Sequence, residues 1–252
     1  MKEQLRAKSI QHIPVGISLG IYQDKQQFFE TVKEAVEVGY ERVKFKISPN
    51  ANLDFFDHIN PLLFDNKVNV SFDANGSYGA NDLEKLRYFV DNYDAYIEQP
   101  TPPDRFDVLL KMKELMPTIK VCFDEEVKNI GDVMKLNDLN LLDELNLKIG
   151  RVGGISNSIE IMNYCFEKDI RCWIGGMFET GIGRLQNLEL AAFLPNASAH
   201  DLSPSSRYFK EDIVAPAVEM QDGFIDLKSV KNCQVDITKI EKYTTEKVLI
   251  KY

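Results

Sequence analysis

Short β-rich runs recur along this chain at a nearly fixed interval, and that interval restricts the fold more than any other feature of the sequence. The runs are VGISLG, VKFKI, VNVSFD, AYIEQ, KVCFDE, ELNLKIG, RCWIGG and ASAHDL. Marked residues near the ends of seven of them, Lys46, Asp73, Glu98, Asp124, Lys148, Gly175 and Asp201, lie 27, 25, 26, 24, 27 and 26 positions apart. Stretches with apolar residues at helical spacing fill the intervals. KQQFFETVKEAVEVGY carries Phe28, Phe29, Val32, Ala35, Val36 and Val38 and stops at Gly39, and NDLEKLRYFVDNY and ISNSIEIMNYCFEKD read the same way. No sequence similarity accompanies the period, so it is not the mark of a solenoid. Repeated strand–helix units predict an α/β protein with a parallel sheet. The count suits a closed TIM-like (β/α)8-type barrel, with a doubly wound open sheet as the alternative.

The phase within each run adds direction. Side chains alternate along a strand, so Lys44 and Lys46 share one face while Val43, Phe45 and Ile47 share the other. Val70 and Phe72 oppose Asn69, Ser71 and Asp73; Val121 and Phe123 oppose Cys122 and Asp124; Leu145, Leu147 and Ile149 oppose Asn146 and Lys148. Ile97 likewise opposes Tyr96 and Glu98. The apolar phase is expected under the helices and the polar phase inside the barrel. A charged residue then stands at the C-terminal end of successive strands, where barrel enzymes keep their chemistry. Numbered in order, the second predicted strand carries Lys44 and Lys46, the third Asp73, the fourth Glu98, the fifth Asp124 and the sixth Lys148. In an eight-membered ring the second and sixth strands face each other, with the three carboxylates on the arc between them.

Three converging carboxylates repel and raise one another's pKa, a conflict that a divalent cation removes. Oxygen-only ligands favour Mg²⁺ or Mn²⁺ over zinc. A lysine beside such an ion suggests proton abstraction, for which it must be neutral. Lys44 and the cation would lower the pKa of Lys46 by like-charge repulsion, and the metal would stabilise the enediolate left when a carboxylate substrate loses its α-proton. Lys148, across the barrel, would either return the proton, giving racemisation, or stabilise the anion while a β-leaving group departs, giving elimination. A Schiff-base lysine is a competing reading, but it leaves three acids and two opposed lysines unexplained. In WIGGMFETGIGR, Gly175 and Gly176 let the backbone approach an anion or form a tight turn before a helix opening after Thr180, and Met177 offers an apolar pocket wall.

Composition narrows the partners. The 252 residues carry a net charge of −9, which disfavours nucleic acid and anionic membranes. No run of apolar residues is long enough to span a bilayer. IPVGISLGI near the N-terminus is short, is broken by Pro14 and Gly16, lacks a signal cleavage site and reads as a strand. Cys122, Cys165, Cys172 and Cys233 form no C-x-x-C pair and suit free thiols in a cytoplasmic protein. His12, His58 and His200 have no ligand-like spacing and are expected to be structural or superficial.

VKFKI, FDANGSY, YIEQP, CFDEEV, NLKIGRVGGI, GGMFETGIGR and SSRYFKEDIVAP follow in an order that resembles the enolase superfamily. Within it they look most like the o-succinylbenzoate synthase and N-acylamino acid racemase family of the muconate-lactonizing subgroup. The resemblance covers residues 13 to 216. It implies a TIM-like (β/α)7β barrel, Lys46 as base, Lys148 as the opposing lysine, and Asp73, Glu98 and Asp124 as Mg²⁺ ligands. Asn75, Glu125, Gly175, Gly176 and Met177 are candidates for contacting the substrate or supporting those groups, with Lys44 beside the base. The lysine-base, Mg²⁺-enediolate mechanism is general to that superfamily. The implied reaction is syn dehydration of 2-succinyl-6-hydroxy-2,4-cyclohexadiene-1-carboxylate to o-succinylbenzoate, a step of menaquinone synthesis. Racemisation of N-acyl amino acids by the same two lysines is the first rival. Members of the family carry an α+β capping domain ahead of the barrel. The expected division is therefore 1–12 as the remnant of a linker from that domain, 13–216 as barrel, and 217–252 as a segment that would pack on the cap. An uncapped mouth would expose apolar surface suited to a homo-oligomer. The second rival is a catalytically silent barrel that binds Mg²⁺ and presents a docking surface for a cap.

Overall fold

The computed structural model describes residues 9–248. The elements, in chain order, are β1 (His12–Pro14), β2 (Gly16–Leu19), α1 (Lys25–Glu37), β3 (Arg42–Lys46), α2 (Leu53–Asp65), β4 (Asn69–Asp73), α3 (Arg87–Asn92), β5 (Tyr96–Glu98), α4 (Phe106–Leu115) and β6 (Lys120–Phe123). They continue with α5 (Ile130–Asp138), β7 (Glu144–Leu147), α6 (Ile155–Glu167), β8 (Arg171–Ile174), α7 (Gly181–Ala191), β9 (Val214–Ala215), β10 (Phe224–Asp226), α8 (Leu227–Val230), β11 (Gln234–Val235) and α9 (Ile237–Tyr243). Strands β2 to β8 form one parallel sheet in sequence order, each joined to the next through a helix. The predicted barrel strands one to seven are therefore β2 to β8.

The eighth predicted run, ASAHDL, forms no extended strand. It contributes a parallel bridge between Val15 and His200 that joins the two ends of the sheet. His200 donates its N–H to Pro14 O (2.9 Å), Gly16 donates to His200 O (2.7 Å), and Asp201 donates to Ile174 O (3.1 Å). The remaining ladder position is filled by a side chain: Ile174 N–H donates to His200 Nδ1 at 2.9 Å. The imidazole thus completes the seam where a backbone carbonyl would otherwise serve, and the architecture is the (β/α)7β barrel.

The apolar phase of each strand packs outward under the helices, as the alternation requires. Val43, Phe45, Phe72, Ile97, Val121, Phe123, Leu145 and Leu147 are all buried. Phe28, Phe45, Phe56, Phe72 and Phe89 form an edge-to-face and tilted chain with centroid separations of 4.6–5.8 Å between successive rings, which packs α1, α2 and α3 onto β3 and β4. Helix α1 begins where Asp24 accepts Gln27 N–H at 2.6 Å and ends before Gly39, whose φ of +89° suits glycine. The stretch NDLEKLRYFVDNY differs from the uniform helix expected. A tight three-residue-per-turn segment, Leu83–Leu86, precedes α3, and Lys85 N–H bonds back to Asp82 O at 2.9 Å.

The segment after the barrel returns to it. Strand β10 pairs antiparallel with β1, matching His12 with Asp226 and Pro14 with Phe224, and Ile225 is fully buried. Strand β11 pairs with β9. Most of the predicted linker remnant, 1–8, and the last residues of EKVLIKY lie outside the described residues. All four cysteines are free, three of them buried. No described helix is long and apolar enough to cross a membrane. Of the histidines, His12 and His58 are exposed and His200 is structural.

Burial, with the charge of Arg42 adding to it, pushes His200 down from 6.5 to about 3 against a weaker pull from Asp201. Below pH 6.5 the unfolded chain takes up a proton that the fold refuses, so stability is full above that pH and falls as pH drops toward 3. At about 1.4 kcal/mol per unit of displacement, the loss reaches about 4–5 kcal/mol. His200→Asn keeps an acceptor for Ile174 N–H without the titration. Urea midpoints from pH 7 to 4 are expected to fall more steeply for the wild type than for this variant; parallel slopes would remove His200 from the acid response.

Candidate active site

Strand register sets the site. In the β4–β5 ladder Asp73 lies directly opposite Glu98, and in the β3–β4 ladder Lys46 lies opposite Asp73. Asp124 follows β6 immediately, and Lys148 follows β7. All five therefore lie at the C-terminal mouth of the barrel, and Asp73, Glu98 and Asp124 are buried.

Lys44 sits one layer deeper. Its side chain is 3% exposed, and its Nζ lies 2.8 Å from Glu98, 2.8 Å from Asp201 and 3.9 Å from Asp73. Burial opposes its charge, but Asp201, Glu98 and Asp73 outweigh that cost and hold the ammonium charged. Burial likewise opposes the charge of Asp201, yet Lys44 and Arg42 keep its carboxyl well below the usual range. Burial pushes the Glu98 carboxyl up, against the pull of Lys44. Asp201 also takes Arg42 Nη2 at 2.7 Å, and the Arg42 guanidinium lies 3.9 Å above the Trp173 ring. Two cations and three acids thus form one network that runs from the mouth into the barrel interior.

This changes the role expected of Lys44. Its charge is committed to acids from three parts of the barrel and is not directed chiefly at Lys46. Lys46 is 42% exposed, bonds the side-chain oxygen of Asn75 and lies 3.5 Å from Asp73. Asn75 donates from its amide nitrogen to Glu125 at 3.0 Å and from its backbone to Asp73 at 3.0 Å. Asn75 and Glu125 are thereby gathered around Lys46. On the opposite wall Lys148 donates to Asp124 at 2.7 Å, and Arg151 pairs with the other oxygen of the same carboxylate.

Gly175 and Gly176 are required by packing. A Cβ on Gly175 would lie 1.9 Å from Asn146 Oδ1, and one on Gly176 would lie 2.1 Å from Asp201 O. The backbone N–H of Gly175 is spent on Leu147 O at 3.0 Å, so the expectation that it serves an anion fails because the ladder claims it first. Met177 is exposed at the mouth, with its N–H taken by Glu179 at 2.8 Å. Sequence reasoning assigned no role to Asp201, Arg42, Asn146 or Arg151. Asp201 falls on the period, Asn146 shares the phase of Lys148 and Arg42 that of Lys44 and Lys46, so all three carried a signal; Arg151 carried only its charge.

The donor set suits a hard divalent cation. It comprises three carboxylates and the buried side-chain oxygen of Asn146, which has no hydrogen-bond partner among the described residues while its nitrogen donates to Glu98 at 2.7 Å. Among the described residues, however, no three metal-binding side chains converge on one point. Asp73 and Glu98 share Lys44, whereas Asp124 faces Lys148 and Arg151.

Known proteins match this chain in sequence and in fold. The family model described as "Enolase C-terminal domain-like" matches residues 27–231. An o-succinylbenzoate synthase of Listeria innocua is 34% identical over 99% of this chain and 68% of its own length, and one of Enterococcus faecalis is 39% identical over 84% and 57%. An N-succinylamino acid racemase of Thermus thermophilus is 31% identical over 85% of this chain and 58% of its own. The solved structure of a Listeria innocua member of the enolase superfamily superposes with a TM-score of 0.86 at 32% identity, over 95% of this chain and 64% of that one. The chain spans about three fifths to two thirds of the length of these relatives.

Replacing Lys44 with methionine would strand Glu98 and Asp201 as buried carboxylates without their shared ammonium. Breaking such a pair costs about 3–5 kcal/mol. Urea unfolding at pH 7 is expected to show a loss of that order for Lys44→Met. A loss below about 1 kcal/mol, as for a surface pair, would show that the ammonium does not hold the barrel together.

Proposed function

This chain belongs to the Enolase C-terminal domain-like family, and we propose on that footing that it supplies the catalytic barrel of an o-succinylbenzoate synthase-type lyase. The substrate class is a small carboxylate with a β-hydroxyl, namely 2-succinyl-6-hydroxy-2,4-cyclohexadiene-1-carboxylate, and the reaction is syn dehydration in the cytoplasmic synthesis of menaquinone. The observation that carries this reading is the placement of Lys46 and Lys148 on opposite walls, at the ends of β3 and β7, each beside a strand-end carboxylate.

Lys46 is the base. Its Nζ reaches the solvent-facing mouth, where it can take the α-proton, and Asn75 orients it from the side. Asn75 is in turn fixed by Glu125 and Asp73. Asp73, Glu98 and Asp124 would hold Mg²⁺, for which Mn²⁺ can substitute. When bound, the ion supplies positive charge next to the carboxylate whose α-carbon loses the proton. Lys148 presents its ammonium from the far wall toward the anion, and Lys46, which carries the abstracted proton on the same face in a syn elimination, gives it to the departing hydroxyl, which leaves as water.

N-acylamino acid racemisation is the second reading, favoured by the same opposed lysines and by the racemase names among the relatives. An asymmetry between the two walls favours elimination. Lys148 is drawn tightly to Asp124 at 2.7 Å, which suits a fixed anion-stabilising group, whereas Lys46 bonds the Asn75 amide, stands farther from its carboxylate, Asp73, at 3.5 Å, and is the more exposed of the two.

The test is spectrophotometric dehydration of the cyclohexadiene substrate with Mg²⁺ and with EDTA. Metal-dependent turnover supports the lyase. Its absence in folded protein, with exchange and inversion of a single N-acyl enantiomer in deuterium oxide, supports the racemase, and neither activity leaves a silent barrel. Lys46→Arg is expected to lower α-proton exchange by about a thousandfold or more, since arginine is not deprotonated at working pH. The thermal shift produced by Mg²⁺ should persist in that variant. Near wild-type exchange would remove Lys46 as the base.

A further inference from the structure

Gln99, immediately after β5, is fully buried and has a φ of +37°, a left-handed conformation that non-glycine residues seldom adopt. Every polar group it has is engaged. Its backbone N–H donates to Cys122 O at 2.8 Å, and its backbone O accepts from Gly76 at 2.7 Å. Its side-chain nitrogen donates to Thr101 O at 3.0 Å. Its side-chain oxygen accepts two backbone N–H groups from the next loop, Asp124 at 3.3 Å and Glu126 at 3.0 Å. One residue therefore ties the ends of β4, β5 and β6 together at the level of the three acids.

We propose that Gln99 is a positioning residue for Asp124: its amide oxygen fixes the backbone from which that carboxylate projects, and so sets where the third acid stands relative to Asp73 and Glu98. The inference rests on the Mg²⁺ reading above for its consequence, not for its geometry. Asp124 lies one residue beyond the end of β6, and there Gln99 supplies an acceptor for its N–H from the neighbouring strand. The amide is chemically suited to the place. A carboxylate could accept the two N–H groups but could not donate to Thr101 O, and it would add a negative charge beside Asp124 and Glu126. An apolar side chain would leave both N–H groups without this partner. The left-handed backbone serves the same end, since it turns the side chain sideways from β5 toward β6 instead of letting the strand's alternation continue.

Two variants separate the side chain from the backbone. Gln99→Met keeps the volume and removes the hydrogen bonds, and Gln99→Gly keeps the left-handed backbone at ease and removes the side chain. Asn129→Ala is the control, because its side chain caps α5 through Gly131 N–H at 2.8 Å and Asp132 N–H at 3.3 Å in the same loop. Calorimetric titration with Mg²⁺ is done at a temperature where circular dichroism shows each protein folded. Both Gln99 variants are expected to bind Mg²⁺ about tenfold or more weakly, as loss of a supporting partner does, and Asn129→Ala within about threefold of wild type. Wild-type affinity in a folded Gln99 variant overturns the proposal. So does an equal loss in Asn129→Ala, which would mean general loosening of the loop, and so does failure of both Gln99 variants to fold, which would make the residue one of fold maintenance. If the wild type binds no Mg²⁺, the metal reading fails, and Gln99 is judged by amide hydrogen exchange. Faster exchange at Asp124 and Glu126 in Gln99→Met sustains the positioning role, and unchanged exchange overturns it.

Discussion

An ammonium ion held in the middle of a barrel has to be compensated on every side, and the environment of Lys44 follows from that requirement. Glu98 and Asp201 each stand 2.8 Å from its Nζ and Asp73 stands 3.9 Å away, so acids from three parts of the barrel share one cation. Removing charges from water costs several kcal/mol per ion even after relaxation. The cost is offset only when the partners are close and hydrogen-bonded, which requires the strands that bear them to be in register. Asp201 extends the compensation downward to Arg42, which rests on Trp173. The same carboxylate belongs to the residue next to His200, which closes the seam. Barrel closure and charge compensation are therefore coupled through two neighbouring residues.

That coupling accounts for a polar barrel interior. In a barrel filled by apolar branched side chains, layers pack by volume alone. Here the inward phase holds Arg42, Lys44, Ser71, Asp73, Glu98, Asp124, Glu144 and Asn146, all buried. The apolar contribution comes from outside the ring, where the phenylalanine chain from Phe28 to Phe89 packs β3 and β4 against three helices. The strands carrying Lys44, Lys46 and Asp73 are thus anchored on their outer face, which leaves their inner face free for charge.

Much of this was legible in the sequence, because a parallel strand–helix repeat expresses itself twice: as a period near 26 residues and as an alternation within each run. Together they placed Lys46, Asp73, Glu98, Asp124 and Lys148 at one mouth. What the pattern could not express was depth. Lys44 and Lys46 share a face and differ by two positions, yet one is 3% exposed and the other 42%. Periodicity gives a direction for a side chain, not its distance from water. The eighth strand was legible only as a position, since a histidine side chain replaces one of its ladder bonds. Gln99 was invisible for a related reason: its effect comes from a left-handed backbone that leaves the strand's alternation.

The difference in depth gives the two lysines of VKFKI separate work. An amine surrounded by three carboxylates is bound to keep its proton, because losing it would leave several buried negative charges uncompensated. Lys44 is therefore unsuited to act as a base, however close it lies to a substrate. Lys46 has a neutral amide as its nearest partner, one carboxylate at 3.5 Å and access to solvent. Fewer buried acids lean on its charge, so its surroundings depend on it less than those of Lys44 do. One strand thus supplies a buried cation that binds the acids together and, one layer higher, an amine that stands at the solvent-facing mouth.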